Sequence, residues 1–205
     1  MKKLLLMLVI AALGCAVPAA ADTFTLTGVS GNSQGGFYTA PYFLSQNGSP
    51  SFGAMCVDFT HHLTIGESWE ASTTNLGSGD LSNTRLGASG YATYREEAWL
   101  YEQFLNGAGS SGDINFAVWA LTSADAKASA GWTAGAQGWY DLALSTDLSA
   151  FDKEMVHFTV ITPHDLTGTG PQEFITPVAT PEPGSLALLG SGMLGLAGFA
   201  RKKLK

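Results

Sequence analysis

Residues 94–121 read Tyr-Arg-Glu-Glu-Ala-Trp-Leu-Tyr-Glu-Gln-Phe-Leu-Asn-Gly-Ala-Gly-Ser-Ser-Gly-Asp-Ile-Asn-Phe-Ala-Val-Trp-Ala-Leu, and the period of their apolar positions decides the fold class. Tyr94, Ala98, Tyr101 and Leu105 recur at helical spacing, and Trp99, Leu100 and Phe104 widen that face until Asn106-Gly107 closes it. After a Gly/Ser linker, Asp113 is placed to cap a second helix in which Ile114, Ala117, Val118 and Leu121 follow the i, i+3, i+4, i+7 pattern. A third, weaker helix is expected over 134–144.

On both sides of this block the period falls to two. Phe24, Leu26 and then Val29 predict a strand ending at Gly31-Asn32, and the aromatic-rich run 37–44 predicts another, bounded by Gly35-Gly36 and Asn47-Gly48-Ser49-Pro50. Residues 56–65, Cys-Val-Asp-Phe-Thr-His-His-Leu-Thr-Ile, alternate as a third strand; Cys56, Asp58, Thr60 and His62 would share one face and His61 the other, and Trp69 extends the sheet. Residues 72–89 read as loop or short strand. Val156, Phe158 and Val160 form a late strand, with Phe174-Ile175 adding an edge. Strands flanking a helical block make the expected class α+β: a single domain of antiparallel strands with a helical insertion, plus a C-terminal transmembrane helix. No internal repeat is present.

The two ends are of a different kind. Met1-Lys2-Lys3 leads into an apolar block from Leu4 to Leu13, followed by Pro18 and Ala19-Ala20-Ala21, the order of a secretory signal peptide with its cut after Ala21. Leu13-Gly14-Cys15 also resembles the end of a lipobox, with Ala12 where leucine is more usual. At the far end, residues 184–200 are small or apolar without a charge, and Arg201, Lys202, Lys203 and Lys205 follow at once. At about 1.5 Å per residue the stretch reaches ~25 Å, just enough to cross a membrane, and the cations hold its end on the cytoplasmic side. The expected division is therefore signal peptide 1–21, exported domain 22–176, Pro-rich linker 177–183, membrane-spanning sorting helix 184–200 and basic tail 201–205.

Pro181-Glu182-Pro183 stands directly before the span, and two prolines keep the backbone extended for a protease. This tripeptide, the Gly- and Leu-rich span and the basic end resemble the PEP-CTERM sorting signal. The resemblance implies transient anchoring in the inner membrane, processing by an exosortase after signal peptidase has acted, and delivery to the cell surface or the extracellular matrix of a biofilm.

Charge narrows the partners. The chain holds 10 Lys+Arg and 17 Asp+Glu; six of the cations and Glu182 lie in the end signals, which leaves four cations against sixteen carboxylates in the body. Such a surface repels nucleic acid and anionic lipid and is compatible with cationic polymers. After the signal peptide is removed Cys56 is the only cysteine, so no disulfide forms within the mature chain.

Cys56 in a Cys-x-Asp strand, Ala98-Trp99-Leu100 on a helix, and Asn115-Phe116-Ala117-Val118-Trp119 also resemble, more diffusely, the thioester domains of bacterial adhesins. The resemblance implies a bond between Cys56 and a glutamine, yet Asn115 stands at the glutamine's place and is one methylene short. The alternative role is structural, with Cys56 a buried small hydrophobe and Asn115 satisfying backbone groups near its helix start. Cys56, Asp58 and one of His61 or His62 have metal-ligand chemistry but would need His157 or His164 to complete a set, so no metal and no cofactor is expected. Glu96, Glu97 and Glu102 read as a solvated acidic face. Trp69, Trp99, Trp119, Trp132 and Trp139 are the residue type that stacks on the sugars of a matrix polysaccharide, but their spacing assigns most of them to the core. The expected function is a non-catalytic structural or adhesion protein, with a covalent adhesin using Cys56 and a secreted hydrolase as alternatives.

Overall fold

A computed structural model describes residues 21–178. The signal block before Ala21, the Pro181-Glu182-Pro183 motif, the expected span and its basic tail lie outside the described residues. Among the described residues no helix is long and apolar enough to cross a membrane.

The domain is α+β, and its strands close on themselves. β1 (Asp22–Val29), β4 (Tyr42–Gln46), β5 (Phe52–Cys56), β6 (Ser68–Asn75), β7 (Phe158–Pro163) and β8 (Phe174–Pro177) pair in the order β1-β4-β5-β8-β7-β6, antiparallel throughout, as a closed barrel. Closure leaves none of these six strands with an unpaired edge. β8 is therefore not the edge strand that its short length suggests; it bonds to β5 on one side and to β7 on the other. A separate two-stranded hairpin, β2 (Ser33–Gln34) with β3 (Phe37–Tyr38), precedes β4, so the single strand expected over 37–44 is interrupted at the cis Ala40–Pro41 bond.

Register and side-chain alternation separate two apolar layers. Across β5, β8 and β7, Cys56 pairs with Phe174 and Phe174 with Ile161, while Met55 pairs with Ile175 and Ile175 with Val160. Cys56, Phe174 and Ile161 join Phe24, Leu26, Leu44 and Trp69 inside the barrel. Trp69 stacks between Phe24 and Phe174, with ring centroids 6.3 and 6.0 Å away. Met55, Ile175 and Val160 face outward against the helices.

Those helices fill the long connection from β6 to β7. α1 (Tyr91–Leu105) buries Tyr94, Ala98 and Tyr101 at the expected spacing. It ends where Gly107 takes φ +69°, letting Ala108 N–H reach Gln103 O and Gly107 N–H reach Phe104 O. α2 (Ser111–Thr122) starts one turn earlier than read from the sequence: Ser110 Oγ, not Asp113, accepts the capping bond, from Asp113 N–H at 3.1 Å. Eight of its residues, from Gly112 to Ala120, are buried, so α2 is a central helix rather than an amphipathic one. α3 (Ala124–Ala128) and α4 (Ala134–Ser145) complete the layer.

Candidate functional site

Cys56 ends β5, and the chain then leaves the sheet. The expected strand over 56–65 does not form beyond Cys56 because Asp58 takes the local donors itself: its Oδ1 accepts from Thr60 N–H and Thr60 Oγ–H, both at 3.0 Å, and from His61 N–H at 3.3 Å. The resulting turn brings His61 to the side of Asp58, where alternation would have put it opposite, with His61 Nδ1 2.7 Å from Asp58 Oδ2.

Cys56 is fully buried, and its thiol donates to the Asp58 carbonyl at 3.0 Å. Burial drives its pKa far above the usual thiol value. Asn115, also fully buried, turns its carboxamide onto the link before β4 and the end of β5: Oδ1 accepts from Ala40 N–H at 2.9 Å and Nδ2 donates to Cys56 O at 3.0 Å. The backbone groups it satisfies are thus distant in sequence and not those of its own helix start.

Beyond this strut lies a network of ionisable groups. Arg85 sets Nε 3.2 Å from Asp58 Oδ2 and donates to Pro171 O at 3.0 Å. Burial raises the Asp58 pKa, but the His61 hydrogen bond and the Arg85 charge outweigh it, so the carboxyl is held below its ordinary value. Glu173 is buried and accepts from Arg85 N–H at 3.0 Å, Thr162 Oγ–H at 2.6 Å and Tyr94 Oη–H at 2.8 Å. Burial still leaves its pKa raised.

Glu97 does not belong to a solvated face. It is 0% exposed, and neither carboxyl oxygen meets a hydrogen-bond partner among the described residues. Burial, with Glu173, Glu96 and Asp58 nearby, holds its pKa well above the ordinary value. The sequence carried a signal for this: Glu97 lies three residues after Tyr94 and four before Tyr101, on the buried stripe of α1. A cavity of about 150 Å³ has Asp58, Arg85, Glu97 and Glu173 in its walls and exposed Thr60 and Thr122 at its rim. Among the described residues no group of three or more His, Cys, Asp or Glu side chains is arranged to hold a metal ion.

A larger groove of about 520 Å³ opens on the other side of Phe59, which lines both spaces. Exposed Tyr38 and half-buried Phe37 and Phe59 supply its aromatic surface over buried Tyr42 and Trp119, and exposed His62 and Thr64 its polar points. Phe37, Phe59, Phe116 and Trp119 form one aromatic cluster behind it, with Phe116 and Trp119 centroids 4.9 Å apart. Of the remaining sequence candidates, His157 lies in the open near Glu154, His164 bonds Ser72 at 2.9 Å, and Trp99 and Trp139 pair on the helical layer.

Fold and site together define an α+β barrel domain with a buried polar strut, an acidic cavity and an aromatic groove. The PEP-CTERM protein-sorting motif matches residues 179–202, so the chain carries that motif behind the domain, consistent with an exosortase substrate. The match supports an exported protein sorted through the membrane towards the cell surface. No curated protein and no solved structure matches the chain.

Proposed function

We propose that the exported domain is a non-catalytic structural and adhesion module of a biofilm matrix, and that it holds matrix polysaccharide in the aromatic groove. The observation that carries this reading is the groove's composition. Sugar rings present apolar C–H faces and a rim of hydroxyls, which suits aromatic side chains interspersed with a few polar groups. Tyr38 is 56% exposed and Ile65 52% exposed beside it, a large apolar area for a surface otherwise so acidic. Affinity electrophoresis in gels containing the host's exopolysaccharide tests the reading. Retarded migration that Tyr38→Ala abolishes is expected, and equal migration with and without polymer would remove the groove from consideration.

Delivery is tested separately. Deleting residues 184–205 is expected to release the domain without trimming at Pro181-Glu182-Pro183, and trimming of the intact chain is expected to require the exosortase. Equal trimming in a strain lacking that protease would refute the sorting half of the proposal.

One observation favours the hydrolytic alternative. Asp58 is held below its ordinary pKa and Glu97 well above it in the walls of one cavity, the separation that a base and an acid need. Turnover in a panel of glycosidase and peptidase substrates, lost with Glu97→Gln, would replace the non-catalytic reading. The covalent alternative has less support, because a buried thiol kept protonated is a weak nucleophile and the Asn115 carboxamide is engaged with the backbone.

A further inference from the structure

The aromatic groove is more apolar than a plain hexose polymer needs. A hexose ring carries several hydroxyls, and each one that leaves water without gaining a partner costs free energy. Among the described residues that line the groove none is Asp, Glu, Lys or Arg, and besides the two tyrosines and Trp119 only His62, Thr64 and Gln172 carry a polar side chain. Its floor is buried Leu26, Tyr42 and Trp119, from which half-buried Phe37, Phe59 and Leu63 rise. The Tyr42 hydroxyl is already spent on Tyr38 O at 2.6 Å, so it adds no partner to that floor. A ligand that fills about 520 Å³ of this character brings methyl groups as well as hydroxyls.

Charge removes the ionic alternatives. Sixteen carboxylates against four cations in the body repel a uronate polymer. A free ring amine gains no counter-ion inside the groove, because Glu67 lies outside the lining and spends its Oε2 on Thr64 N–H at 2.9 Å. The ligand that fits is therefore neutral. Gln172, the polar side chain at depth, indicates what carries the methyl. It is 8% exposed, and its Nε2 donates to Asp58 O at 3.3 Å. Its Oε1 accepts from no described residue and is not one of the sealed polar atoms of the core, which leaves an open acceptor at the foot of an apolar wall. An acetamide brings an N–H beside a methyl; an acetate ester brings the methyl without the donor, and a hydroxyl the donor without the methyl.

We propose that the groove takes an N-acetylated amino sugar, and that the matrix polymer held by the domain is a neutral polysaccharide containing it. The sugar ring stacks on exposed Tyr38, the acetamide turns to Gln172, and the ring hydroxyls stay at the rim with His62, Thr64 and water. This inference rests on the groove reading and narrows it. One further methyl seated in an apolar site is worth about tenfold or more in affinity, so the acetyl group, more than the ring, sets the choice of polymer.

Calorimetry on the mature protein recovered from the cells that make it tests this with tetramers of N-acetylglucosamine, glucosamine, glucose and galacturonate, and with an acetylated tetraalanine amide. The N-acetylglucosamine tetramer is expected to bind about tenfold or more tightly than the glucose and glucosamine tetramers, and the galacturonate tetramer not at all. Gln172→Met removes the acceptor at similar length, and Leu63→Ser trims the apolar wall without touching Gln172; each is expected to lower that ratio. Melting temperatures show which variants are folded, and Leu63→Ser alone decides should Gln172→Met unfold. Equal binding of the acetylated and glucose tetramers, tighter binding of the glucosamine tetramer, or a ratio that folded variants leave unchanged would overturn the acetamide assignment and leave the groove standing. Retardation by the host's exopolysaccharide with no tetramer bound would do the same. Binding of neither tetramer nor polymer would overturn both readings, and so would binding of the peptide alone, which would give the groove to a protein segment.

Discussion

Asn115 Nδ2 donates to the Cys56 carbonyl at 3.0 Å, which ties the central helix to the last residue of a barrel strand 59 positions earlier in the chain. The same carboxamide accepts from Ala40 N–H, so one side chain satisfies two buried backbone groups that have no sheet partner there. Replacing Asn115 with Leu keeps the branched skeleton but adds bulk and orphans both groups, which is expected to cost about 2–5 kcal/mol. Asn115→Asp keeps the acceptor for Ala40 but must stay protonated to donate to Cys56 O, so its deficit is expected to grow as pH rises. Urea unfolding of the three proteins across pH measures both deficits; a Leu variant as stable as the parent would show that the strut is dispensable.

The thiol on the same residue is sealed in the barrel. Cys56 is fully buried and its pKa is driven up by that burial, so almost no thiolate is present at neutral pH. Alkylation with iodoacetamide is expected to be negligible in the native protein and complete in denaturant, with an intact mass matching a free thiol and an unmodified Asn115. A mass lower by one ammonia, with no thiol released on unfolding, would instead reveal a cross-link.

Two carboxyl groups give stability opposite slopes against pH. Glu97 keeps its proton in the folded state beyond the point, near pH ~4.3, at which the unfolded chain releases it. The unfolded state then binds fewer protons, so stability falls as pH rises from there through the raised folded value. Asp58 works the other way: its contribution is present above the unfolded value near ~3.9 and is lost as pH falls through its lowered folded value. Glu97→Gln is expected to be more stable than the parent at neutral pH and to show a shallower alkaline decline, the remainder being shared by Glu173, Glu96 and Glu102, whose pKa values are also raised by burial. Melting temperatures from pH 3 to 9, in steps of about one unit, check both signs.

The parts of this fold that were legible are those in which a local period governs. β1 alternates between buried Phe24 and Leu26 and its outward threonines, α1 and α4 form where the apolar spacing places them, and Gly107 stops α1 by its left-handed backbone. Barrel closure was not legible, because it depends on pairings such as Cys56 with Phe174 that no local window contains. The strand read over 56–65 failed for a reason visible in one residue: Asp58 competes for backbone donors, and its Asx-type turn overrides the alternation. Charge alone sets Glu97 with Glu96 and Glu102 and hides the candidate cavity, although its phase on the helix belongs with Tyr94 and Tyr101.

The hairpin that walls the groove is held down by two glycines in contact, and this arrangement makes a local prediction. Gly35, at the turn between β2 and β3, takes φ +59°, and a Cβ there would collide with the backbone at Gly131. Gly131 in turn has the Phe116 ring where its own Cβ would stand, and its carbonyl accepts from Gln34 Nε2 at 2.8 Å. Gly131→Ala must therefore push on an aromatic ring in the centre of the cluster formed by Phe37, Phe59 and Trp119, and the overpacking is expected to cost about 1–3 kcal/mol. Gly35→Ala adds backbone strain to a similar collision but leaves Phe116 in place, so it is expected to loosen the hairpin more than the core. Hydrogen exchange separates the two: the Gly35 variant should lose protection around residues 33–38 with α2 still protected, whereas the Gly131 variant should lose it across 111–122 as well. If both variants exchange like the parent, the close approach of the two backbones does not hold the groove wall in place.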